Sequence, residues 1–167
     1  LLENIKIANK SSILEKFDLK QKKYLLATVH RQSNTNNEKN LTNILGALSE
    51  IPEKVIFPVH PRTMNFIKKY NLKKKINDNL TLTNPLSYLD FLWLEKNASK
   101  IITDSGGVQK EAYMLGIPCI TTRDETEWVE LVELGANTIV GTDKTKMITE
   151  LDNPLILLHE KKLANLQ

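Results

Sequence analysis

The feature that most constrains the fold is a repeated alternation of short apolar segments with segments of helical hydrophobic spacing. In the segment 37–51, for example, Leu41, Ile44 and Leu48 recur one helical turn apart, and apolar runs flank the segment on both sides. Continuous apolar strands that alternate with amphipathic helices are typical of a parallel sheet covered on both faces. The pattern therefore predicts an α/β fold, a doubly wound parallel sheet of the Rossmann-like kind.

The boundaries of the predicted elements follow from the apolar runs and from the Gly and Pro residues between them. We predict strands at 24–30, 54–60, 80–83, 100–103, 118–122 and 137–140. We predict helices at 10–16, 37–51, 63–70, 88–96, 108–115, 127–134 and 143–151. The predicted organisation is a lead-in segment at 1–23, one Rossmann-like domain at 24–152 and an atypical C-terminal tail at 153–167.

Composition is that of a globular protein with one domain. The chain has 167 residues, 41% of them hydrophobic and 26% charged, and a net charge of +3. The densest basic run, at 73–75, is predicted to be a solvated loop and not a nucleic-acid patch. The single Cys119 excludes an internal disulfide and is predicted to be a buried thiol. No apolar stretch has the length of a bilayer span and no signal peptide is visible, so a cytoplasmic protein is expected.

Polar clusters follow five of the predicted strands. They are His30-Arg31, His60-Pro61-Arg62, Asn84-Pro85, Asp104-Ser105-Gly106-Gly107 and the run from Arg123 to Glu127. In open α/β sheets ligands bind beyond the carboxyl ends of the strands, so these clusters predict one site along one edge. Candidate phosphate or cleft contacts are Arg31, His60, Arg62, Asp104, Arg123 and Glu127. The cations among them suit a diphosphate.

The segment 101–112 carries the strongest single signal. An apolar strand leads into a turn with Ser105, Gly106 and Gly107, and a helix begins at once. That arrangement directs free backbone N–H groups and a positive helix dipole at a ligand, and glycines allow its close approach. Glu111, about one turn into the helix, can accept hydrogen bonds from sugar hydroxyls. These residues indicate a nucleotide diphosphate site, and the alternative is an ordinary strand–helix turn with a capping Ser and Glu.

Taken together, several motifs resemble those of the non-hydrolysing UDP-N-acetylglucosamine 2-epimerases. The motifs are Ala27-Thr28-Val29-His30-Arg31, Phe57-Pro58-Val59-His60-Pro61-Arg62-Thr63, Pro85-Leu86-Ser87-Tyr88-Leu89-Asp90-Phe91, Thr103-Asp104-Ser105-Gly106-Gly107-Val108-Gln109 and Arg123-Asp124-Glu125-Thr126-Glu127. Their order and spacing match over about 9–143. The resemblance implies a two-domain GT-B-type enzyme, of which this chain is the C-terminal, UDP-binding half, with the N-terminal half as its missing partner.

The resemblance also implies roles for individual residues. His30 matches a catalytic histidine that contacts the sugar nucleotide, and Glu111 matches the carboxylate that holds the ribose hydroxyls. Ser105, Gly106 and Gly107 match the diphosphate-binding turn. Phe91 matches an aromatic residue near the uracil, although its apolar helix is equally consistent with a core position.

The implied reaction is interconversion of UDP-GlcNAc and UDP-ManNAc by elimination and re-addition of UDP, in the synthesis of polysaccharide precursors. Family members are often homodimers. The route requires no metal or other cofactor, and His30, His60 and His159 lack the spacing of metal ligands.

Departures from the family pattern leave the substrate open. Trp128 stands where many members have an arginine that contacts the nucleotide sugar, Leu86 replaces a glutamine, and Lys110 replaces an acid. Some members that act on UDP-diacetamido-glucuronate have a similar Thr-Glu-Trp form. The alternatives are therefore a 2-epimerase of a related UDP-sugar, a GT-B glycosyltransferase, an inactive nucleotide-binding remnant, or an α/β protein that binds phosphate alone.

Overall fold

The computed structural model describes residues 1–151, apart from the side chain of Leu2. The predicted tail at 153–167 lies outside the described residues. The strands are β1 (Tyr24–Thr28), β2 (Lys54–Pro58), β3 (Leu80–Thr83), β4 (Lys100–Thr103), β5 (Cys119–Thr121) and β6 (Asn137–Ile139). They form one sheet in the order β3-β2-β1-β4-β5-β6, in which each neighbouring pair is parallel. This arrangement confirms the predicted doubly wound α/β fold.

Most helices lie at the predicted places along the chain, and the main differences concern the short ones. They are α1 (Leu2–Ala8), α2 (Ile13–Lys16), α3 (Gln32–Thr35), α4 (Glu38–Glu50), α5 (Pro61–Lys69), α6 (Tyr88–Asn97), α7 (Gly106–Leu115), α8 (Val129–Glu133) and α9 (Lys144–Leu151). The short helices α1 and α3 were not predicted, and the basic run at 73–75 is exposed as expected but lies in a 3₁₀ turn, Leu72–Lys75. The predicted helix at 10–16 is the shorter α2.

Two apolar clusters cover the two faces of the sheet. Adjacent strand residues alternate between them, so that Leu25 packs in one cluster and Leu26 in the other. The first cluster contains residues of α4, α5 and α9, and the second contains residues of α1, α2, α6 and α7. Cys119 belongs to the second cluster and is buried, as predicted.

The centre of the sheet fixes the place of the candidate site. The chain leaves β1 toward β2 on one side and returns through β4 on the other, so the strand order reverses between β1 and β4. The hydroxyls of Thr28 and Thr103, the last residues of these two strands, lie 2.6 Å apart and share a hydrogen bond. The segments that begin at Val29 and Asp104 therefore leave the sheet side by side, at the crevice where such folds bind ligands.

Candidate functional site

The turn between β4 and α7 leads directly into the N-terminus of a helix. Ser105 is the N-cap residue, and its Oγ accepts a hydrogen bond from the amide of Val108 at 3.4 Å. Gly106 and Gly107 occupy the first two helical positions, where backbone N–H groups have no acceptor within the helix. The helix ends at Gly116, whose φ of 70° is the left-handed cap that glycine favours. Because α7 is ten residues long, its dipole makes the N-terminus a favourable place for an anion.

The two glycines of this turn have different surroundings. A Cβ atom on Gly106 would lie 1.9 Å from Oε1 of Glu127, and the indole Nε1 of Trp128 donates to the carbonyl of Gly106 at 2.9 Å. Gly107 is exposed, and its nearest neighbour to such a Cβ is Oγ of Ser105 at 3.8 Å. The side chains after β5 thus cover Gly106, whereas the space over Gly107 is open to a ligand.

His30 lies directly beside this turn and is held by Asp104. The carboxylate of Asp104 is fully buried and accepts hydrogen bonds from the amides of His30 (3.1 Å) and Arg31 (2.9 Å) and from Nδ2 of Asn34 (3.0 Å). Its Oδ1 also lies 3.4 Å from Nδ1 of His30, whose side chain is 47% exposed. The structure therefore places Asp104 beneath the edge, where it orients the loop after β1, and leaves Nε2 of His30 free for a ligand.

Arg31, Arg123 and Glu127 form a charged group on the other side of the turn. A guanidinium nitrogen of Arg123 lies 2.6 Å from Oε2 of Glu127, and one of Arg31 lies 3.7 Å from Oε1. A hydrogen bond from its own backbone amide and then one from Arg123 lower the pKa of Glu127, so the carboxylate stays charged near neutral pH. The two arginines also line a cavity of about 370 Å³ together with Asn34 and Thr142. This group supplies cations at the edge, although Glu127 already balances part of their charge.

The other predicted cleft residues separate into two groups. The ring of His60 lies 6.5 Å from that of His30, and its Nδ1 accepts from the amide of Arg62, which caps α5. The side chain of Arg62 donates to Asn36 and lies over the ring of Phe66. Phe91 is partly buried against the second apolar cluster. The structure thus brings His60 to the cleft beside His30, whereas Arg62 contacts α3 and α5 neighbours and Phe91 contributes to packing.

Glu111 has a hydrogen-bond partner, Tyr88, for which the sequence analysis predicted no role. The hydroxyl of Tyr88, the first residue of α6, donates to Oε1 of Glu111 at 3.1 Å. Burial raises the pKa of Tyr88, and the nearby charge of Glu111 raises it further, so the phenol remains a donor. Tyr88 lies in the same motif as Phe91. Its hydrogen bond with Glu111 joins two separate helices, and the spacing of residues within one motif does not reveal such a contact.

A buried network fixes the loop after β5 against α7. Oε1 of the fully buried Gln109 accepts from the hydroxyl of Thr126 at 2.6 Å and from Nδ2 of Asn137 at 3.0 Å. The same hydroxyl of Thr126 accepts from the amide of Trp128 at 3.1 Å. Through Gln109, α7 therefore holds the residues that cover Gly106. The one feature of the sequence that could have indicated this role of Gln109 is a polar residue on the inward face of a predicted helix.

Within residues 1–151, no group of three or more His, Cys, Asp or Glu side chains is arranged to hold a metal ion. None of the described helices is long and apolar enough to cross a membrane. The arrangement that remains is an open helix N-terminus beside a histidine, with cations along the same edge, and it suits a phosphate-containing ligand.

Comparison with known proteins gives a consistent result. The sequence model of the UDP-N-acetylglucosamine 2-epimerase family matches residues 1–166. A UDP-N-acetylglucosamine 2-epimerase homolog from Methanococcus maripaludis is 51% identical over 155 residues, which are 90% of this chain and 43% of the relative. The UDP-2,3-diacetamido-2,3-dideoxy-D-glucuronate 2-epimerase of Pseudomonas aeruginosa is 44% identical over 128 residues, which are 75% of this chain and 35% of the relative.

A solved structure extends the likeness to three dimensions. The UDP-GlcNAc 2-epimerase of Methanocaldococcus jannaschii, in complex with UDP-GlcNAc and UDP, superimposes with a TM-score of 0.83 at 44% identity. The match covers 90% of this chain and 44% of that one. The chain spans less than half the length of these relatives. With a family match over nearly its whole length, the chain belongs to the UDP-N-acetylglucosamine 2-epimerase family.

Proposed function

We propose that this chain is the UDP-binding half of a UDP-N-acetylglucosamine 2-epimerase, which interconverts UDP-GlcNAc and UDP-ManNAc by elimination and re-addition of UDP. The observation that carries the proposal is the N-terminus of α7, which is open over Gly107 and lies beside His30 at the crevice between β1 and β4. The chain's place in the family supports this assignment.

The turn suits a diphosphate for three reasons. The amides of Gly106 and Gly107 have no acceptor within the helix, and the dipole of α7 favours negative charge at that point. The hydroxyl of Ser105 uses an oxygen lone pair to accept from Val108, so its hydrogen remains available for a phosphate oxygen. The open space over Gly107 lets the diphosphate approach the backbone.

In the proposed reaction, the contacts of the turn with the diphosphate also contribute to catalysis. Elimination removes the proton from carbon 2 of the sugar and breaks the bond between carbon 1 and the diphosphate oxygen, which yields UDP and a 2-acetamidoglucal. Negative charge then grows on the leaving diphosphate, where the turn amides stabilise it. His30, whose Nδ1 lies 3.4 Å from Oδ1 of Asp104 and whose side chain is about half exposed, is placed to exchange a proton with the reacting groups through Nε2. Groups in the N-terminal half would complete the proton transfers.

A second candidate substrate follows from Trp128. Its indole is fixed to the carbonyl of Gly106, and the ammonium of Lys110 lies 4.5 Å from the centre of its ring. An indole cannot make the bidentate contact of the arginine that many family members have at this position. The similarity to the Pseudomonas aeruginosa enzyme favours a related UDP-sugar, such as UDP-diacetamido-glucuronate, as the second candidate. Turnover assays with both UDP-sugars distinguish the two.

The family resemblance also supports a homodimeric, cytoplasmic enzyme when the N-terminal half is present. Light scattering on the two-domain protein tests the dimer. A GT-B glycosyltransferase would instead form a new glycoside when an acceptor is added, and no free epimer. An inactive remnant would bind UDP weakly and show no turnover once the N-terminal half is supplied.

Calorimetry with this chain tests the nucleotide half of the proposal. We expect saturable binding of UDP that neither uridine nor inorganic phosphate matches. Ser105→Ala combined with Glu111→Ala should weaken UDP binding by about 1–3 kcal/mol, because two hydrogen bonds to a polar ligand are lost. Unchanged UDP affinity in the double variant would show that UDP binds elsewhere, and absence of UDP binding by the wild-type chain would reduce the assignment to the fold.

Gly107→Ala should weaken UDP binding without changing the stability of the fold. The new methyl group meets no protein atom closer than 3.8 Å, so we expect an unchanged unfolding midpoint. It would occupy the space over the turn, and we expect the affinity for UDP to fall by about tenfold or more. Gly46→Ala in α4 is the matched control, because its methyl group meets only the flexible side chain of Lys144, at 3.5 Å or more. Gly46→Ala should leave UDP binding unchanged, and equal losses in both variants would refute the site.

A further inference from the structure

The hydrogen bond between Tyr88 and Glu111 joins two helices that both begin at the carboxyl edge of the sheet. The Tyr88 hydroxyl donates to Oε1 of Glu111 at 3.1 Å, and 48% of the tyrosine is exposed. Tyr88 is the first residue of α6, and Glu111 lies in the second turn of α7. Both residues therefore lie near the sheet edge where the ligand is proposed to bind.

We propose that Tyr88 is a positioning residue that fixes the Glu111 carboxylate for the ribose hydroxyls and so lets the chain prefer a ribonucleotide over a 2′-deoxyribonucleotide. This inference rests on the proposed function and on the ribose role that the family resemblance implies for Glu111. It adds a residue that acts through Glu111 and does not itself touch the ligand.

The hydroxyl of Tyr88 limits the orientations that the Glu111 carboxylate can adopt. Glu111 carries three side-chain torsions, and a half-buried carboxylate with no partner would sample several orientations. The bond from Tyr88 engages Oε1, which leaves Oε2 to accept from the ribose. A carboxylate ordered in advance loses less entropy when the nucleotide binds.

Tyr88 is itself held by a rigid helix start. Ser87 is the N-cap of α6, and its Oγ accepts from the amide of Asp90 at 3.2 Å. The carboxylate of Asp90 accepts from the hydroxyls of Ser87 (2.8 Å) and Ser11 (2.5 Å), and the latter ties α6 to the segment before α2. These bonds lower the pKa of Asp90 and fix the first turn of α6. The phenol therefore approaches Glu111 from a fixed direction.

The test compares UDP with 2′-deoxy-UDP as calorimetric ligands. We expect the wild-type chain to prefer UDP by about tenfold and Tyr88→Phe to lower this ratio by about three- to fivefold, the size of one net hydrogen bond. Glu111→Gln should lower the ratio as well, and Tyr88→Phe should have no further effect in that background, because the two residues act as a unit. Tyr70→Phe is the matched control, because the hydroxyl of Tyr70 also donates a hydrogen bond, to the carbonyl of Asn36, but Tyr70 lies at the end of α5.

Each outcome decides the inference. A reduced ratio in Tyr88→Phe, with the wild-type ratio in Tyr70→Phe, supports it, whereas a merely structural loss would weaken both ligands equally and leave the ratio unchanged. UDP binding with a wild-type ratio in Tyr88→Phe overturns the positioning role alone. No UDP binding by the wild-type chain overturns the proposed function and the inference with it.

Discussion

Replacement of His30 by alanine is expected to lower the rate of epimerisation by about 10²–10⁴-fold, the usual contribution of a positioned acid or base. The measurement requires a protein that also contains the N-terminal half. UDP affinity should fall by less than about threefold, because the amides of the turn and not the imidazole supply the main diphosphate contacts. A loss confined to turnover would mark an interaction made in the transition state.

Two readouts make this result interpretable. Solvent deuterium incorporated at carbon 2 reports the elimination step and should slow in parallel with epimerisation. The unfolding midpoint should change little, since the side chain of His30 is 47% exposed and buries little surface. If turnover and UDP affinity fell together by the same factor, His30 would be a binding residue and the catalytic role would be wrong.

Replacement of Glu95 by methionine is expected to stabilise the fold at neutral pH. Glu95, in α6, is 0% exposed, and neither carboxylate oxygen has a hydrogen-bond partner among the described residues. Burial, and to a lesser extent the charge of Glu111, raises its pKa from 4.5 to about 9. The folded state therefore keeps this proton at pH 7, whereas the unfolded chain releases it.

The sign of the pH dependence follows from that difference. The contribution of Glu95 to the free energy of unfolding is fully present below pH 4.5. It is lost progressively as the pH rises from 4.5 toward about 9, because only the unfolded chain releases the proton in this range. Each pH unit above 4.5 costs about 1.4 kcal/mol, so the penalty at pH 7 is on the order of 3 kcal/mol. Methionine has a similar volume and no charge, and it removes this penalty.

Urea unfolding at pH 5, 7 and 8.5 checks the prediction. Glu95→Met should gain little in free energy of unfolding at pH 5 and progressively more at the higher values. The matched control is Glu53→Met, because Glu53 is exposed in the turn before β2. A gain that is the same at every pH would show that packing and not ionisation is responsible, and a loss at pH 8.5 would contradict a buried neutral acid.

The sequence predicted the fold well because periodicity reports which face of each element is buried. The observed limits of β3 and β4 are those predicted. The start of α7 was placed two residues late, because Gly106 and Gly107 have low helix propensity but lie directly after the Ser105 cap. The polar α3 was missed because it depends on distant contacts, such as Asn34 with Asp104 and with the carbonyl of Thr122.

The sheet edge that carries the candidate site was predictable from the sequence, but the contacts between side chains at that edge were not. Parallel strands end on one edge of a sheet, and this rule alone groups His30, His60 and Ser105. The burial of Asp104, the pairing of Tyr88 with Glu111 and the contact of Trp128 with Gly106 depend on side-chain directions across separate elements. Arg62 and Phe91 lie in suitable motifs, yet the structure directs them toward α3 and the second apolar cluster.

The burial of Cys119 has a practical consequence for following ligands in solution. It is the one cysteine of the sequence, it is 2% exposed, and burial raises its pKa to about 12, so alkylating dyes should not react with it in the folded protein. A cysteine introduced at the exposed Lys110, beside the ring of Trp128, would then be the single reactive thiol. A fluorophore attached there would report occupancy of the α7 turn without any prior removal of the native cysteine.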